Sequence, residues 1–401
     1  MMKRMLFAGL STLALTAAGG AAAQTEVKIG VLNDQSGLYS DLTGQGSVWA
    51  ARKAIEDFDP AANGLSVELV FADHQNKPDV GSAVARQWYD VDGVDMIVDV
   101  PTSSVALAIN ELTRERNKVF LSSGAATSDL TGKACSPNTV HWTYDTWSLA
   151  NGTGKAIVET GGESWFFITA DYAFGHALER DTSAVVVENG GEVVGTVRHP
   201  FPGSDFSSFL LQAQASGAQI IGLANAGGDT VNTVKQAAEF GIVQSGQSLA
   251  ALLMFLTDVH ALGLDVAQGL IFTEAWYWDL DDENRAFAEE FAAANGGNHP
   301  TMVHAGVYSA TLHYLKAVAE VGSVDDGAAV VAAMKEMPTE DRLFGEGEIR
   351  QDGRKVHDMY LFEVKSPDQS EGPWDYYNLR ATIPAAEAFR PLGEGECSLV
   401  N

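Results

Sequence analysis

The strongest constraint in this chain is a unit that recurs along it: a short apolar run, a polar turn, then a helix with one-sided apolar spacing. Its clearest copy is residues 94–109. Val94, Met96, Ile97, Val98 and Val100 form the run of a buried strand, and Pro101 stops it. Thr102, Ser103 and Ser104 are good N-cap residues, and Val105, Ile109 and Leu112 then repeat at helical spacing. Such a turn sets hydroxyls and free backbone N–H groups at a helix N-terminus, where an anion is favoured. Plain helix capping accounts for one turn of this kind. Its recurrence, polar each time, points beyond capping.

Residues 27–32, 67–71 and 118–122 read as further strands, with polar turns at 33–40, 72–76 and 123–128. Val48, Ala51, Ile55 and Phe58 give a one-faced helix between the first two. Four strands alternating with helices predict a parallel sheet. The pattern breaks around residues 142–147 and then restarts. Strands are expected at 165–168, 191–197, 219–224, 250–255 and 270–273, with turns at 169–175 and 225–229. Helices are expected from Glu283, at 304–321 and at 327–337. Strands at 343–349 and 357–364 suggest a hairpin about Asp352-Gly353. The chain after residue 371 reads as irregular. The fold class is therefore α/β, with two Rossmann-like lobes around parallel central sheets. Open α/β sheets bind ligands at the carboxyl ends of their strands. Two such edges facing each other would form a cleft.

The N-terminus reads as an address. Lys3 and Arg4 precede an apolar stretch at 5–18, and Ala21-Ala22-Ala23 before Gln24 fits a cleavage site. No cysteine stands at that point, so a lipid anchor is not expected. An exported, periplasmic protein is. The two cysteines, Cys135 and Cys397, would then meet an oxidising compartment and are expected to pair. With 25 basic and 53 acidic residues the net charge is −28. That surface repels nucleic acid, which is excluded as a partner.

Motifs for catalysis and metal binding are missing from the sequence. There is no Gly-x-Ser-x-Gly elbow and no phosphate-binding Gly-x-x-x-x-Gly-Lys motif. Gly152-Thr-Gly154 lacks a third glycine and does not follow a strand. His199, His299 and His304 have no His-x-x-x-His partner, and Cys135 has no nearby cysteine. No metal, no cofactor and no enzymatic activity are expected.

The turns together carry a resemblance. The segment at 28–39, Lys-Ile-Gly-Val-Leu-Asn-Asp-Gln-Ser-Gly-Leu-Tyr, is similar to the first strand and ligand loop of the type I periplasmic binding proteins of ABC importers, in the branched-chain amino acid branch. Thr102-Ser103-Ser104 resembles that family's serine-rich turn. Residues 122–131 resemble its ligand-gripping loop, and residues 171–175 the first ligand loop of its second lobe.

The resemblance implies a three-strand hinge, with crossovers near Tyr144, Thr273 and Gly345. It implies a signal peptide at 1–23, a first lobe of 24–144 plus 275–346, a second of 145–274 plus 347–380, and a tail of 381–401. It also implies that a small molecule is captured between the lobes, and that a monomer carries it to a permease in the inner membrane. Tyr39 would pack on the ligand, and Thr102, Ser103 and Ser104 would offer donors to a carboxylate. Ala125 and Thr127 would present backbone groups and a hydroxyl. Tyr172 and Phe174 would form an aromatic wall, and Asn225 or Asp229 polar contacts. An acid to meet an α-amino group is not obvious. Asp258 and Glu274 are offset candidates, and aromatics such as Trp276 crowd the region. The expected ligand is a branched-chain or aromatic amino acid, or an aromatic acid. A sensing module for a membrane receptor and a secreted α/β enzyme remain the rival readings.

Overall fold

The structure is a computed structural model that describes residues 24–400. The expected signal peptide lies outside the described residues. Strands β1 (Thr25–Asn33), β2 (Leu65–Asp73), β3 (Met96–Asp99), β4 (Val119–Ser122) and β5 (Thr139–His141) form one sheet in the order β2-β1-β3-β4-β5. Strands β6 (Ser164–Ala170), β7 (Glu192–His199), β8 (Ile220–Ala224) and β9 (Ser248–Ala251) form a second in the order β7-β6-β8-β9. Every neighbouring pair in both sheets is parallel. β3 and β4 are buried along their whole length, as strands with helices on both faces must be. The edge strand β7 alternates exposed and half-buried residues, which is why its apolar signal is weaker.

Six short strands complete the frame: β10 (Ile271–Glu274), β11 (Thr339–Asp341), β12 (Gly345–Ile349), β13 (Lys355–Val356), β14 (Met359–Val364) and β15 (Tyr377–Ile383). They pair antiparallel as β10-β14-β15 and β11-β12-β13. The expected α/β architecture of two parallel sheets with small connecting strands is present.

Four details differ from the sequence reading. β5 had no signal of its own beyond three buried residues. The strand expected at 250–255 stops at Ala251, because the Asp258 carboxylate takes the Phe255 N–H and starts the helix Leu256–Leu262. The chain does turn back about Asp352-Gly353, but onto the two-residue β13. β14 pairs with β10 and β15 instead. The chain after 371 is not irregular throughout, since β15 runs into the expected tail at 381–383.

Two devices tie distant parts of the chain together. Cys135 and Cys397 form a disulfide across 262 residues of sequence. The second device is Arg354, which is fully buried. Its guanidinium donates to the carbonyls of Trp142 at 2.7 Å, Tyr144 at 3.0 Å and Lys355 at 2.8 Å. It lies 3.5 Å from the Asp145 carboxylate and over the Phe389 ring. Burial pulls its pKa down to about 10, so it stays charged at neutral pH. His357 supports the same join through the Thr143 carbonyl, 2.8 Å away. The residues leaving β5 are thus held against those leading into β13. Further on, the helices Asp282–Ala294 and Met302–Val321 return to the helix Gly44–Phe58. Trp49 meets Phe287 and Phe291 edge-on, and the Tyr308 hydroxyl donates to Asp57.

A lysine at 354 keeps the charge but cannot serve three carbonyls from one planar fork. Arg354→Lys is therefore expected to lower stability by about 2–4 kcal/mol, measured by denaturant unfolding. A variant as stable as the parent would mean that the guanidinium is not what joins these segments.

Candidate functional site

In each parallel sheet the strand order reverses at one place, between β1 and β3 in the first and between β6 and β8 in the second. A crevice opens at such a switch point, outside the carboxyl ends of the strands. The loops that leave these four strands meet across one cavity. Its walls are Tyr39, Leu42, Pro101, Gly124, Ala126 and Tyr144 on one side, and Tyr172, Phe174, Ala226, Leu253 and Phe255 on the other. The open space is small, about 10 Å³, roughly one water molecule, because aromatic rings fill the rest.

Tyr39 is placed by a local turn. The two oxygens of Asp34, just past β1, accept the N–H groups of Gly37 and Tyr39, each at 2.8 Å. The Tyr39 hydroxyl then meets the Tyr172 hydroxyl at 2.7 Å. The Phe201 ring stacks on both, 4.2 Å from Tyr172 and 5.7 Å from Tyr39 between centroids. Gly227 has φ +58, and a Cβ there would stand 3.0 Å from the Tyr39 ring, so a side chain would push the two halves apart. Tyr144 closes the cavity from the crossing segment, donating to the Gly124 carbonyl at 2.6 Å. Burial, the leading cause each time, raises the pKa of Tyr39, Tyr144 and Tyr172. All three keep their protons and act as neutral hydrogen-bonding groups.

Asp99, the last residue of β3, and Val100 just after it have φ of +85 and +56. Positive φ is uncommon for any side chain and costly for a β-branched one. The bend carries Pro101 into the wall and starts the helix Ser103–Glu115 directly behind it. That helix has Thr102 as its N-cap residue, without a side-chain cap bond. The Thr102 hydroxyl donates instead to the Asn76 side-chain carbonyl. Ser103 Oγ accepts the Thr127 N–H at 3.2 Å, which leaves its own proton to give. Ser104 is half-buried on the next turn position.

The structure therefore brings Tyr39, Tyr172 and Phe174 onto the wall, with Thr102 beside the wall residue Pro101. Ala125 lies between the wall residues Gly124 and Ala126, and its carbonyl accepts from His141 at 2.7 Å. Thr127 caps the short turn Ser128–Thr131. The remaining candidates stand off the wall. Asn225 adjoins Ala226, but its side chain is engaged inward with Thr230, Thr233 and His199. Asp229 accepts the Gly203 N–H at 2.9 Å, and Asp258 is the helix cap already described. Trp276 donates to Asn284 and packs edge-on against Phe287. Sequence reasoning missed Leu42, Pro101, Leu253, Phe255, the small wall residues Gly124, Ala126 and Ala226, and the covering Phe201, and it gave Tyr144 only to a crossover. For Pro101 the signal was its place immediately after a buried strand.

Four buried acids stand behind the cavity. Burial raises Asp99, Asp229 and Asp258 to about 7 and Glu274 well above its usual range. No residue of the cavity wall is charged. A larger cavity of about 340 Å³ adjoins the same segments, lined by Ser40, Asp41, His260, His299 and Trp374 among others. Its mixed, half-open lining lacks the convergence of strand ends that marks the aromatic cavity.

Residues 26–372 match the family model described as periplasmic binding protein. The Leu/Ile/Val-binding protein homolog 6 of Brucella melitensis is 27% identical over 389 residues, 94% of this chain and 96% of that one. A periplasmic binding protein from Burkholderia mallei superposes with a TM-score of 0.91 at 50% identity, covering 95% of this chain and 100% of that one. A branched chain amino acid ABC transporter periplasmic ligand-binding protein from Burkholderia xenovorans LB400 gives a TM-score of 0.83 at 42% identity, covering 94% and 100%.

The buried cap at Asp258 has a consequence for stability. Its folded pKa of about 7 lies above the ordinary 3.8, mainly through burial and secondly against the Phe255 N–H bond that lowers it. The fold thus prefers the protonated form. That contribution is complete below pH 3.8 and is lost as pH rises through 7. Asp258→Asn keeps an acceptor for the cap and removes the titration. The melting temperature of the variant relative to the parent is expected to rise by several degrees between pH 5 and pH 8. A difference that stays flat would mean that Asp258 ionises freely in the folded chain.

Proposed function

Since the chain belongs to the periplasmic binding protein family, we propose that it captures a small carboxylate-bearing solute between its lobes and delivers it to an inner-membrane permease. It is a periplasmic ligand-binding protein of an ABC transporter. The observation that carries the proposal is the cavity where both switch points meet, bridged by the Tyr39–Tyr172 hydroxyl pair. A ring or branched chain enters only if that contact parts, so binding and lobe movement are one event.

The carboxylate end belongs at the start of the helix Ser103–Glu115. First-turn N–H groups have no acceptor within their own helix, and the helix dipole favours negative charge there. A buried carboxylate needs several donors, since its desolvation is expensive. The Ser103 hydroxyl supplies one more, and the hydroxyl of the Tyr39–Tyr172 pair that does not donate within the pair supplies another. The rest of the wall is apolar and suits a branched or aromatic body. The names of the Brucella melitensis and Burkholderia xenovorans relatives point to branched-chain amino acids. An aromatic acid satisfies the same anion site. The reading assigns no catalysis and leaves the chain as an exported carrier with its leader removed near Ala23-Gln24.

A thermal-shift screen of amino acids and simple carboxylates tests the class, because a ligand at a hundred times its Kd adds about 2.7 kcal/mol. With the hit in hand, Ser103→Ala is expected to weaken binding about tenfold, the worth of one charge-assisted donor, with circular dichroism unchanged. Unchanged affinity would remove the carboxylate from this end of the cavity.

A further inference from the structure

The chemistry of the cavity wall narrows the solute further, on the premise that it carries a carboxylate. A ligand ammonium is a triple donor with no acceptor, and taking it out of water demands an anionic or strongly accepting partner. The wall contains no aspartate or glutamate. The four carboxyl groups of the region are buried behind it; each accepts one hydrogen bond from the fold, and one oxygen of Asp99 and one of Asp229 have no partner. Asp99 accepts from Asn33 Nδ2 at 3.0 Å, and Asp229 from the Gly203 N–H at 2.9 Å. Asp258 accepts from the Phe255 N–H at 3.0 Å, and Glu274 from the Tyr377 hydroxyl at 3.1 Å. None is more than 5% exposed. None of them is on the wall, so an ammonium in the space would have to reach past the wall to meet one.

What faces the space instead is a set of five aromatic rings, Tyr39, Tyr144, Tyr172, Phe174 and Phe255, with small residues between them. The rings already show the geometry that would receive another. Phe201 lies nearly parallel to Tyr172, at 21°, and Tyr144 meets Phe255 edge-on, at 72°. Offset-stacked and edge-to-face arrangements are those in which an aromatic ligand adds attraction beyond its buried area.

We infer that the solute is an aromatic carboxylate without an α-amino group: its ring lies among the five aromatic side chains, its carboxylate meets the start of the Ser103–Glu115 helix, and no counter-ion awaits an ammonium. The inference departs from the branched-chain amino acids in the relatives' names. It rests on the carboxylate reading and deepens it.

Matched pairs differing only in the amine decide it. Titration calorimetry of the mature chain would compare 3-phenylpropanoate with phenylalanine, and 4-methylpentanoate with leucine, with tetramethylammonium as a cation that makes no hydrogen bonds. In each pair the acid without an amine is expected to bind about 100-fold tighter or more, with the aromatic acid tighter than the aliphatic one. Phenylalanine or leucine binding as well as its deaminated partner would overturn the inference and leave the carboxylate reading standing. Binding of tetramethylammonium with no carboxylate binding at all would overturn both. A reciprocal variant adds a check. Leu253→Glu places an acid on the wall at a residue that makes no side-chain hydrogen bond, and is expected to reverse the order within the phenyl pair. A variant that folds but keeps the original order would count against the missing counter-ion as the cause. The wild-type comparison stands whether or not the variant folds.

Discussion

Arg354 sits where the chain leaves its first sheet, and its five N–H donors leave little choice about how the passing segments lie. The carbonyls of Trp142 and Tyr144 belong to the crossing that supplies Tyr144 to the cavity wall. Both would be buried without partners if the guanidinium were absent, at the cost of unmet polar groups in a dry interior. The same cation fixes the approach to β13. The position of one wall of the cleft is thus set by a buried charge well away from it in sequence.

The cavity itself shows a second consequence of burial. Strands buried on both faces deliver their polar ends into the interior, and those ends must find partners locally. Asp99 holds Asn33, Asn225 is turned toward Thr230 and Thr233, and Asp258 caps its own helix. Each polar residue consumed in this way is withdrawn from the wall. What remains at the surface of the space is aromatic and apolar, relieved by tyrosine hydroxyls and the open end of one helix. The bend at Asp99 and Val100 belongs to the same arrangement. The strained backbone is held by the strand on one side and the helix on the other, and it brings Pro101 and the helix start to the cleft.

The parallel sheets were legible because their strands are continuous apolar runs followed by capping residues, and both signals are local. Tyr39 and Tyr172 were legible because each stands in the turn that follows a strand, where a large ring has little packing reason to be, and Phe174 because it lies just past the second of these turns, at the start of the helix Ala173–Glu188. β15 was not legible. Most of Tyr377–Ile383 is exposed, and it is a strand only through backbone pairing with β14, which no local pattern reports. The acids misled for a related reason. Asp258 has the residue type that would meet an amine, but a neighbouring N–H three residues back claims it. Trp276 was drawn into the interior by Asn284 and Phe287. In both cases a partner close in sequence outweighed the distant cleft.

The hydroxyl pair of Tyr39 and Tyr172 gives the two halves something to hold in the absence of cargo. A bond of that kind contributes about 1 kcal/mol net, which alone shifts an open–shut equilibrium roughly fivefold toward shut. A carrier that shuts by itself presents a loaded-looking shape to its transporter, and each such visit risks an unproductive cycle of ATP hydrolysis. A carrier with no bridge at all would need its solute to supply the whole free energy of closing. In the proposed carrier the pair would set a compromise between capture at low solute concentration and silence when there is nothing to carry. If the solute enters as proposed, by parting the two hydroxyls, the molecule that ends the idle state would also be the one that replaces the contact it breaks.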